Sequence, residues 1–166
     1  MEKIKLNNNL KLIVCVGPNN IIGDKYPKGN GMLWHIKEEL LYFKSLTLGN
    51  TLLFGASTAK VVPVELMKKD REVIILHRSM DVPKLLEELT EQNKTIFVCG
   101  GSSIYRYFLE NFYIDEIYLS KIKENVKVKE ATEALYLPNI EDYGYEIVSA
   151  KDYDEFTAYV YKLKNK

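Results

Sequence analysis

The sequence predicts an α/β domain of three layers, in which helices flank a mixed, mostly parallel central sheet. Short apolar runs alternate with helix-like segments along most of the chain, and that alternation favours parallel strands covered on both faces. Two strand-like runs separated by a polar turn follow at the end, which is typical of an antiparallel hairpin. The chain has 166 residues, enough for one sizeable core, so we expect a single domain over residues 1–166.

The first four predicted strands are short runs rich in Val, Ile, Leu or Phe, and the last three contain alternation or β-branched clusters. In chain order these runs are 10–16, 51–55, 72–76, 95–99, 116–123, 145–150 and 156–163, with a polar turn at 151–155. Between the strands, helices are predicted over 36–46, 57–61, 83–90 and 103–110. Pro83 suits the first turn of its helix, and Asp81 before it is favourable to the helix dipole. The sequence therefore predicts seven strands, of which the last two form the hairpin.

Composition and charge exclude several classes of function. The 23 basic and 23 acidic side chains balance to a formal charge of zero, so a broad surface for nucleic acid is not expected. The longest apolar runs have only strand length, and the N-terminus begins without an apolar signal core. These features predict a cytoplasmic protein that does not interact with a membrane.

The cysteines and histidines do not form a recognisable metal site. Cys15 and Cys99 lie within strand-like apolar runs, where two buried free thiols are a better explanation than a disulfide or a catalytic pair. His35 and His77 lie far apart, without a cysteine or carboxylate at metal-ligand spacing. No metal is therefore expected.

One carboxylate lies at the edge of an apolar helical face. At about 100° per residue, Ile36, Leu40 and Phe43 share one stripe, Glu39 flanks it, and Glu38 points nearly the opposite way. A carboxylate held against apolar surroundings suits recognition of a protonatable heterocycle by paired hydrogen bonds. The alternative is a boundary glutamate whose carboxylate reaches out to water.

A glycine pair marks a second candidate site. Gly100 and Gly101 follow an apolar strand and precede a helix, the place where open α/β sheets bind ligands. Without Cβ atoms the backbone can approach a cofactor closely, and the N–H groups of residues 102–105 can meet a diphosphate. Thr58, three residues after Gly55 at another strand-to-helix junction, could serve the same diphosphate. A tight turn and a hydroxyl in a helical first turn are the alternatives.

These pieces, taken in order, resemble dihydrofolate reductase. The matching blocks extend over about 12–120: an apolar strand, Ile-Ile-Gly at 21–23, a loop, Trp-x4-acid-x3-Phe from Trp34, strand-Gly-x-x-Thr, Arg71 before a buried strand, and strand-Gly-Gly-x-x-x-Tyr. The resemblance implies a central sheet of about eight strands. It also implies a monomer that reduces 7,8-dihydrofolate with NADPH, by hydride transfer to C6 and protonation at N5, and that antifolates could inhibit.

The resemblance also assigns roles to individual residues. Glu39 would anchor the pterin through N3 and the 2-amino group, Trp34 would help to place a water, and Ser120 would hydrogen-bond the acid. Arg71 would pair with the carboxylate of the substrate's glutamate, although a solvated surface charge is the alternative. Further substrate contacts are implied for Val14, Leu40, Phe43 and Val62. Contacts with NADPH are implied for Cys15, Ile22, Met32, Gly55, Ser57, Thr58, His77, Arg78, Cys99, Gly100, Gly101, Ser102, Ser103, Ile104 and Tyr105, with a cis peptide joining the glycine pair.

The sequence departs from the family pattern at three places. Ala56 stands where the family often has a basic residue, the segment 77–82 is short on the adenosine side, and Lys69-Asp70 replaces a Pro-Gly before Arg71. Arg78 remains to address the 2′-phosphate of NADPH. Two alternatives therefore stay open: a related reductase, such as one acting on the pyrimidine intermediate of riboflavin synthesis, and a nonenzymatic ligand-binding or scaffold protein on a degenerate reductase fold.

Overall fold

A computed structural model describes residues 2–29 and 31–164. Its strands are β1 (Ile4–Lys5), β2 (Leu10–Val16), β3 (Ile21–Asp24), β4 (Thr51–Gly55), β5 (Glu72–Leu76), β6 (Ile96–Val98), β7 (Phe112–Tyr113), β8 (Glu116–Ile122), β9 (Ala134–Tyr136), β10 (Tyr145–Asp152) and β11 (Phe156–Leu163). Its α-helices are α1 (Lys37–Thr47), α2 (Ala56–Ala59), α3 (Val64–Met67), α4 (Val82–Glu91) and α5 (Ser102–Asn111), and short 3-10 turns cover Pro18–Asn20 and Ile140–Tyr143.

The central sheet has seven strands in the order β10-β11-β8-β2-β6-β4-β5, which confirms the strands predicted from sequence. Strands β8, β2, β6, β4 and β5 run parallel, and β11 pairs antiparallel with both β8 and β10. The C-terminal hairpin is therefore confirmed as well. No eighth strand joins this sheet within the described residues, because the short connection between β5 and α4 contains none.

Helices cover both faces of the sheet and make the three predicted layers. On one face, α1 packs against an apolar cluster formed by Ile13, Leu52, Phe54, Met67, Phe97 and Cys99. On the other face, α4 and α5 pack against a larger cluster that includes Leu12, Val98, Leu86, Leu89, Phe108 and Leu109. Alternate residues of one strand thus enter different layers, as the strand pleat requires.

The helix predicted over 57–61 is wrong in extent, since α2 ends at Ala59 and a separate α3 follows. β-Branched Val61 and Val62 disfavour a continued helix, and Pro63 restricts the residue before it to an extended conformation. The chain restarts a single helical turn directly after that proline. This break matters because residues 61–67 form one wall of the candidate site.

A small antiparallel sheet of β3 and β9 lies outside the central sheet. The Asp24 carboxylate accepts hydrogen bonds from the backbone N–H groups of Tyr26, Thr132 and Glu133 at 2.8–3.0 Å. These bonds, led by the one from Glu133, lower the pKa of Asp24. Farther along, the N–H of Lys129 donates to the carbonyl of Leu33 at 2.7 Å. The loop 24–33 is therefore tied at both ends to the segment 129–133.

None of the helices in ranges 2–29 and 31–164 is both long enough and apolar enough to span a membrane.

Candidate active site

The carboxyl ends of four neighbouring parallel strands, β2, β6, β4 and β5, meet at one edge of the sheet. Because such edges are where open α/β sheets bind ligands, the residues that follow these strands define the candidate site. Part of the expected cofactor set, from Gly55 to Thr58 and from Cys99 to Tyr105, lies around the ends of β4 and β6.

Close packing requires glycine where β4 and β6 end. The N–H of Gly55 donates to the carbonyl of Gly100 at 2.7 Å, which joins the two strand ends. A Cβ at Gly101 would lie 2.7 Å from the Thr58 hydroxyl oxygen, and one at Gly55 would lie 2.8 Å from Ile104 Cγ1. The peptide between Gly100 and Gly101 is cis, as the resemblance implies. Backbone, rather than side chains, thus forms the surface here.

The first turn of α5 opens onto this surface. Gly101 is the N-cap and supplies no side-chain acceptor, and the first intrahelical bond runs from the N–H of Tyr105 to the carbonyl of Gly101. The N–H groups of residues 102–104 therefore have no acceptor within the helix. Together with the glycine surface and the half-buried Thr58, this geometry fits the diphosphate of a dinucleotide. Nearby, Ser57 is exposed on α2, and His77 and Arg78 are exposed just beyond β5.

Tyr105 fixes α5 against β2. Its hydroxyl donates to the carbonyl of Ile13 at 2.7 Å, and its ring would contact a Cβ at Gly100 at 3.1 Å. Burial raises the pKa of Tyr105 well above its ordinary value, so the phenol stays protonated. The residue therefore acts as a hydrogen-bonded brace beside the glycine pair.

Glu39 lies in the first turn of α1 and is only 8% exposed, whereas Glu38 beside it is exposed. Desolvation raises the pKa of Glu39 to about 7. Among the described residues no side chain or backbone group hydrogen-bonds this carboxyl, and the expected bond from Ser120 is not formed. The interpretation of Glu39 as a snorkelling boundary residue is therefore wrong. A buried carboxyl of this kind is available to a ligand with paired donors.

Trp34 and Cys15 lie next to this carboxyl. Burial raises the pKa of the Cys15 thiol well above its ordinary value and the charge of Glu39 adds to the effect, while a hydrogen bond from Trp34 opposes it. Cys15 is also the register partner of the buried Ser120 on β8. Both cysteines are free thiols, as expected. The structure thus brings Glu39, Trp34, Cys15 and Ser120 to one end of α1.

Apolar side chains of α1 and of residues 61–67 pack on the same cluster, at the place where the resemblance implies a substrate groove. Phe43 and Val62 are half-buried and pack on the cluster that also contains Cys99. Leu40 is 37% exposed, so the predicted apolar stripe is not sealed against the sheet but is open at this residue. The side chain of Val14 instead belongs to the core on the opposite face. Only its backbone is therefore oriented toward the site.

Ile22 and Met32 are both half-buried near the start and end of the loop that precedes Trp34. Ile22 packs against the core on the α5 side of the sheet. In the same loop, a Cβ at Gly31 would lie 2.8 Å from the Cβ of Val61. The loop therefore reaches across to the groove wall that contains Val61 and Val62.

Arg71 lies at the other end of α1 and is not a solvated surface charge, since its side chain is only 5% exposed. Its Nε donates to Asp70 Oδ1 at 2.8 Å, and its Nη1 donates to Thr47 Oγ1 at 3.2 Å. The Thr47 hydroxyl in turn donates to the carbonyl of Phe43 at 2.8 Å. The guanidinium is thus held in a fixed orientation by residues from two elements.

Sequence reasoning missed Thr47, Asp70 and Val61 as parts of this site. Thr47 lies in the last turn of α1, where a threonine looks like ordinary surface, although its i+4 spacing from Phe43 places both on one face. Asp70 was visible only as a departure from the family pattern. Val61 carries no motif, and only its contact with Gly31 reveals its position.

Comparison with known proteins gives the family of the chain. A sequence model described as dihydrofolate reductase matches residues 9–165. The dihydrofolate reductase of Mycoplasma genitalium is 29% identical in an alignment 112 positions long that covers 59% of this chain and 69% of that protein. The dihydrofolate reductase type 6 of Proteus mirabilis is 27% identical in an alignment 161 positions long that covers 83% of this chain and 96% of that protein. Because the family match covers nearly the whole sequence, the chain belongs to the dihydrofolate reductase family.

Proposed function

We propose that this enzyme reduces 7,8-dihydrofolate to 5,6,7,8-tetrahydrofolate with NADPH. The observation that carries the proposal is the carboxyl of Glu39, which is only 8% exposed, has no hydrogen-bond partner among the described residues and has a pKa of about 7. It lies at one end of the apolar groove expected for the substrate. A fixed guanidinium, Arg71, lies at the other end. This combination matches a ligand with a heterocycle at one end and a carboxylate at the other.

Helix α1 sets the separation between these two charges. Glu39 and Thr47 are eight residues apart in sequence, which corresponds to roughly 12 Å along the helix axis. Thr47 holds Arg71 directly. A pterin bound at Glu39 would therefore extend its aminobenzoyl group along Phe43 and Val62 toward Arg71, where a bidentate guanidinium suits the glutamate carboxylate.

In the proposed reaction, Glu39 accepts hydrogen bonds from N3 and the 2-amino group of the pterin. An anion in this position increases the basicity of N5, and Trp34 helps to position the water that delivers the proton. The apolar walls of the groove exclude other water and hold the ring in one orientation. NADPH, when bound, supplies the hydride. The protein therefore contributes orientation and electrostatics rather than a covalent intermediate.

The cofactor would lie along the edge formed by the ends of β4, β6 and β5. The amides of residues 102–104 and the hydroxyl of Thr58 would hold its diphosphate. Arg78 would address the 2′-phosphate that distinguishes NADPH from NADH, with His77 beside it. The glycine at position 101 supports this arrangement because it lets the backbone lie directly against the Thr58 hydroxyl, where a Cβ would come within 2.7 Å of that oxygen.

The test is NADPH oxidation by the purified protein, measured with and without dihydrofolate. Glu39→Gln is expected to retain NADPH binding but to lower turnover by roughly 100-fold, the scale of lost acid–base assistance. Glu38→Gln is the matched control, since it removes an exposed carboxylate from the same helical turn. Absence of dihydrofolate-dependent oxidation in the wild-type protein, or turnover by Glu39→Gln equal to that of the control, would contradict the proposal.

A further inference from the structure

In the ligand-free protein, the guanidinium of Arg71 is already hydrogen-bonded to a carboxylate, that of Asp70. Asp70 Oδ1 accepts from Nε at 2.8 Å, and this is the guanidinium's only acidic partner among the described residues. The Asp70 side chain is 34% exposed, against 5% for Arg71. The positive charge of the buried guanidinium is thereby compensated by a carboxylate that lies on its solvent side.

The hydrogen bonds leave only part of the guanidinium free. With Nε bonded to Asp70 and Nη1 bonded to Thr47, Nη2 is the nitrogen that has no partner in the described part of the chain. A carboxylate bonds an arginine most strongly through two parallel N–H groups. Because Asp70 already occupies Nε, the edge formed by Nε and Nη2 cannot bind a second carboxylate in that way, and a substrate carboxylate is left with the edge formed by Nη1 and Nη2, where Thr47 takes one N–H of Nη1.

The charge of Asp70 is only weakly neutralised by other groups. Its second oxygen, Oδ2, lies 3.8 Å from Lys44 Nζ, and the Lys44 side chain is 55% exposed. An ion pair of that length and exposure contributes little. A substrate carboxylate that binds Arg71 therefore approaches a negative charge held on the same guanidinium.

We propose that Asp70 is a specificity-determining residue, which competes with the substrate's glutamate carboxylate for Arg71 and so reduces the advantage of substrates that carry a glutamyl tail. The inference rests on the proposed function, because it takes Arg71 as the group that receives that carboxylate. Its chemistry is general: any ligand with an anionic tail meets the same competition, and a ligand without one does not.

The experiment compares the Michaelis constants for dihydrofolate and for a dihydropterin that lacks the aminobenzoylglutamate tail. Asp70→Asn keeps an acceptor for Nε and removes the charge, whereas Asp70→Glu keeps the charge. We expect Asp70→Asn to lower the ratio of the constant for dihydrofolate to that for the dihydropterin by about three- to fivefold, the upper range for a partly exposed charge pair. The effect should shrink as salt is raised. Glu65→Gln is the control, since Glu65 is a carboxylate with an 87% exposed side chain on α3.

A binding measurement supplies a second readout. Trp34 is the only tryptophan in the chain, so its fluorescence can report the dissociation constant of each ligand without turnover. Tighter binding of the tailed ligand alone in Asp70→Asn, with Asp70→Glu close to wild type, supports the proposal. An unchanged or higher ratio in Asp70→Asn, or an equal shift for both ligands, overturns it and leaves the proposed function standing. Failure of the wild-type protein to turn over either substrate overturns the proposed function and this inference together.

Discussion

Glu39→Gln is expected to make the ligand-free protein more stable above neutral pH, although it removes the group proposed to bind the substrate. Burial raises the pKa of Glu39 to about 7 from an ordinary value of 4.5. Between these two values the folded protein holds a proton that the unfolded chain has lost, so the free energy of unfolding falls as the pH rises. Above the higher value the folded protein carries the full cost of a buried charge.

The difference between the two pKa values corresponds to about 3 kcal/mol, at roughly 1.4 kcal/mol per pH unit. The amide of the variant and the protonated carboxyl of the wild type are both neutral polar groups that lose water on burial, so this cost largely cancels between them. We therefore expect a gain of about 3 kcal/mol in the free energy of unfolding well above neutral pH. Below the ordinary pKa of the carboxyl the gain should vanish, because wild-type Glu39 is then protonated in both states.

Urea denaturation at about pH 4 and at about pH 8 measures the two free energies by linear extrapolation. Glu38→Gln serves as the control, since it removes a carboxylate from the same first turn of α1 and so corrects for the helix dipole. A gain of equal size at the two pH values, or a loss at the higher one, would refute the argument that burial of this charge destabilises the fold.

Three further changes test other parts of the structure. Arg71→Lys should weaken the binding of dihydrofolate by about 1.5–3 kcal/mol, the scale of a charged hydrogen bond. The binding of a pterin without a glutamyl tail should be weakened much less. Equal changes in the Michaelis constants of the two substrates would contradict the pairing of Arg71 with the glutamate carboxylate. Arg78→Ala should raise the dissociation constant of NADPH and barely change that of NADH, and parallel weakening of both cofactors would make Arg78 structural. Asp24→Asn should lower the melting temperature near neutral pH. Because backbone hydrogen bonds lower the pKa of Asp24 below its ordinary 3.8, the difference should shrink as the pH falls through that range, and a pH-independent difference would argue against an ionised Asp24.

Much of the fold could be predicted because the buried strands are recognisable in the sequence. Strands β2, β4, β5 and β6 are nearly continuous apolar runs, and the C-terminal hairpin has a polar turn between its strands. The short pairings, β1 with β7 and β3 with β9, could not be predicted. A strand of two to four residues has too few side chains to show a period, and its partner is far away in sequence.

The candidate site was predictable where function depends on backbone shape or on burial. The glycine pair marks a place without room for a Cβ, and helical periodicity separates Glu39 from Glu38. The tertiary contacts that determine whether a charged side chain is buried could not be predicted from the sequence. Arg71 lies in a run of charged residues, and only the fold shows that Thr47, 24 positions earlier, holds it away from solvent.

Because loop 24–33 is attached at both ends, the length of the loop can change without changing the geometry of the site. Asp24 fixes where the loop leaves the small sheet, and the bond from Lys129 to Leu33 fixes the chain just before Trp34. Doubling the length of a flexible loop costs only about 0.6 kcal/mol in closure entropy. Residues can therefore be gained or lost between these two attachments during evolution while Trp34 and Glu39 keep their places, and the loop can change what it covers independently of the chemistry beneath it.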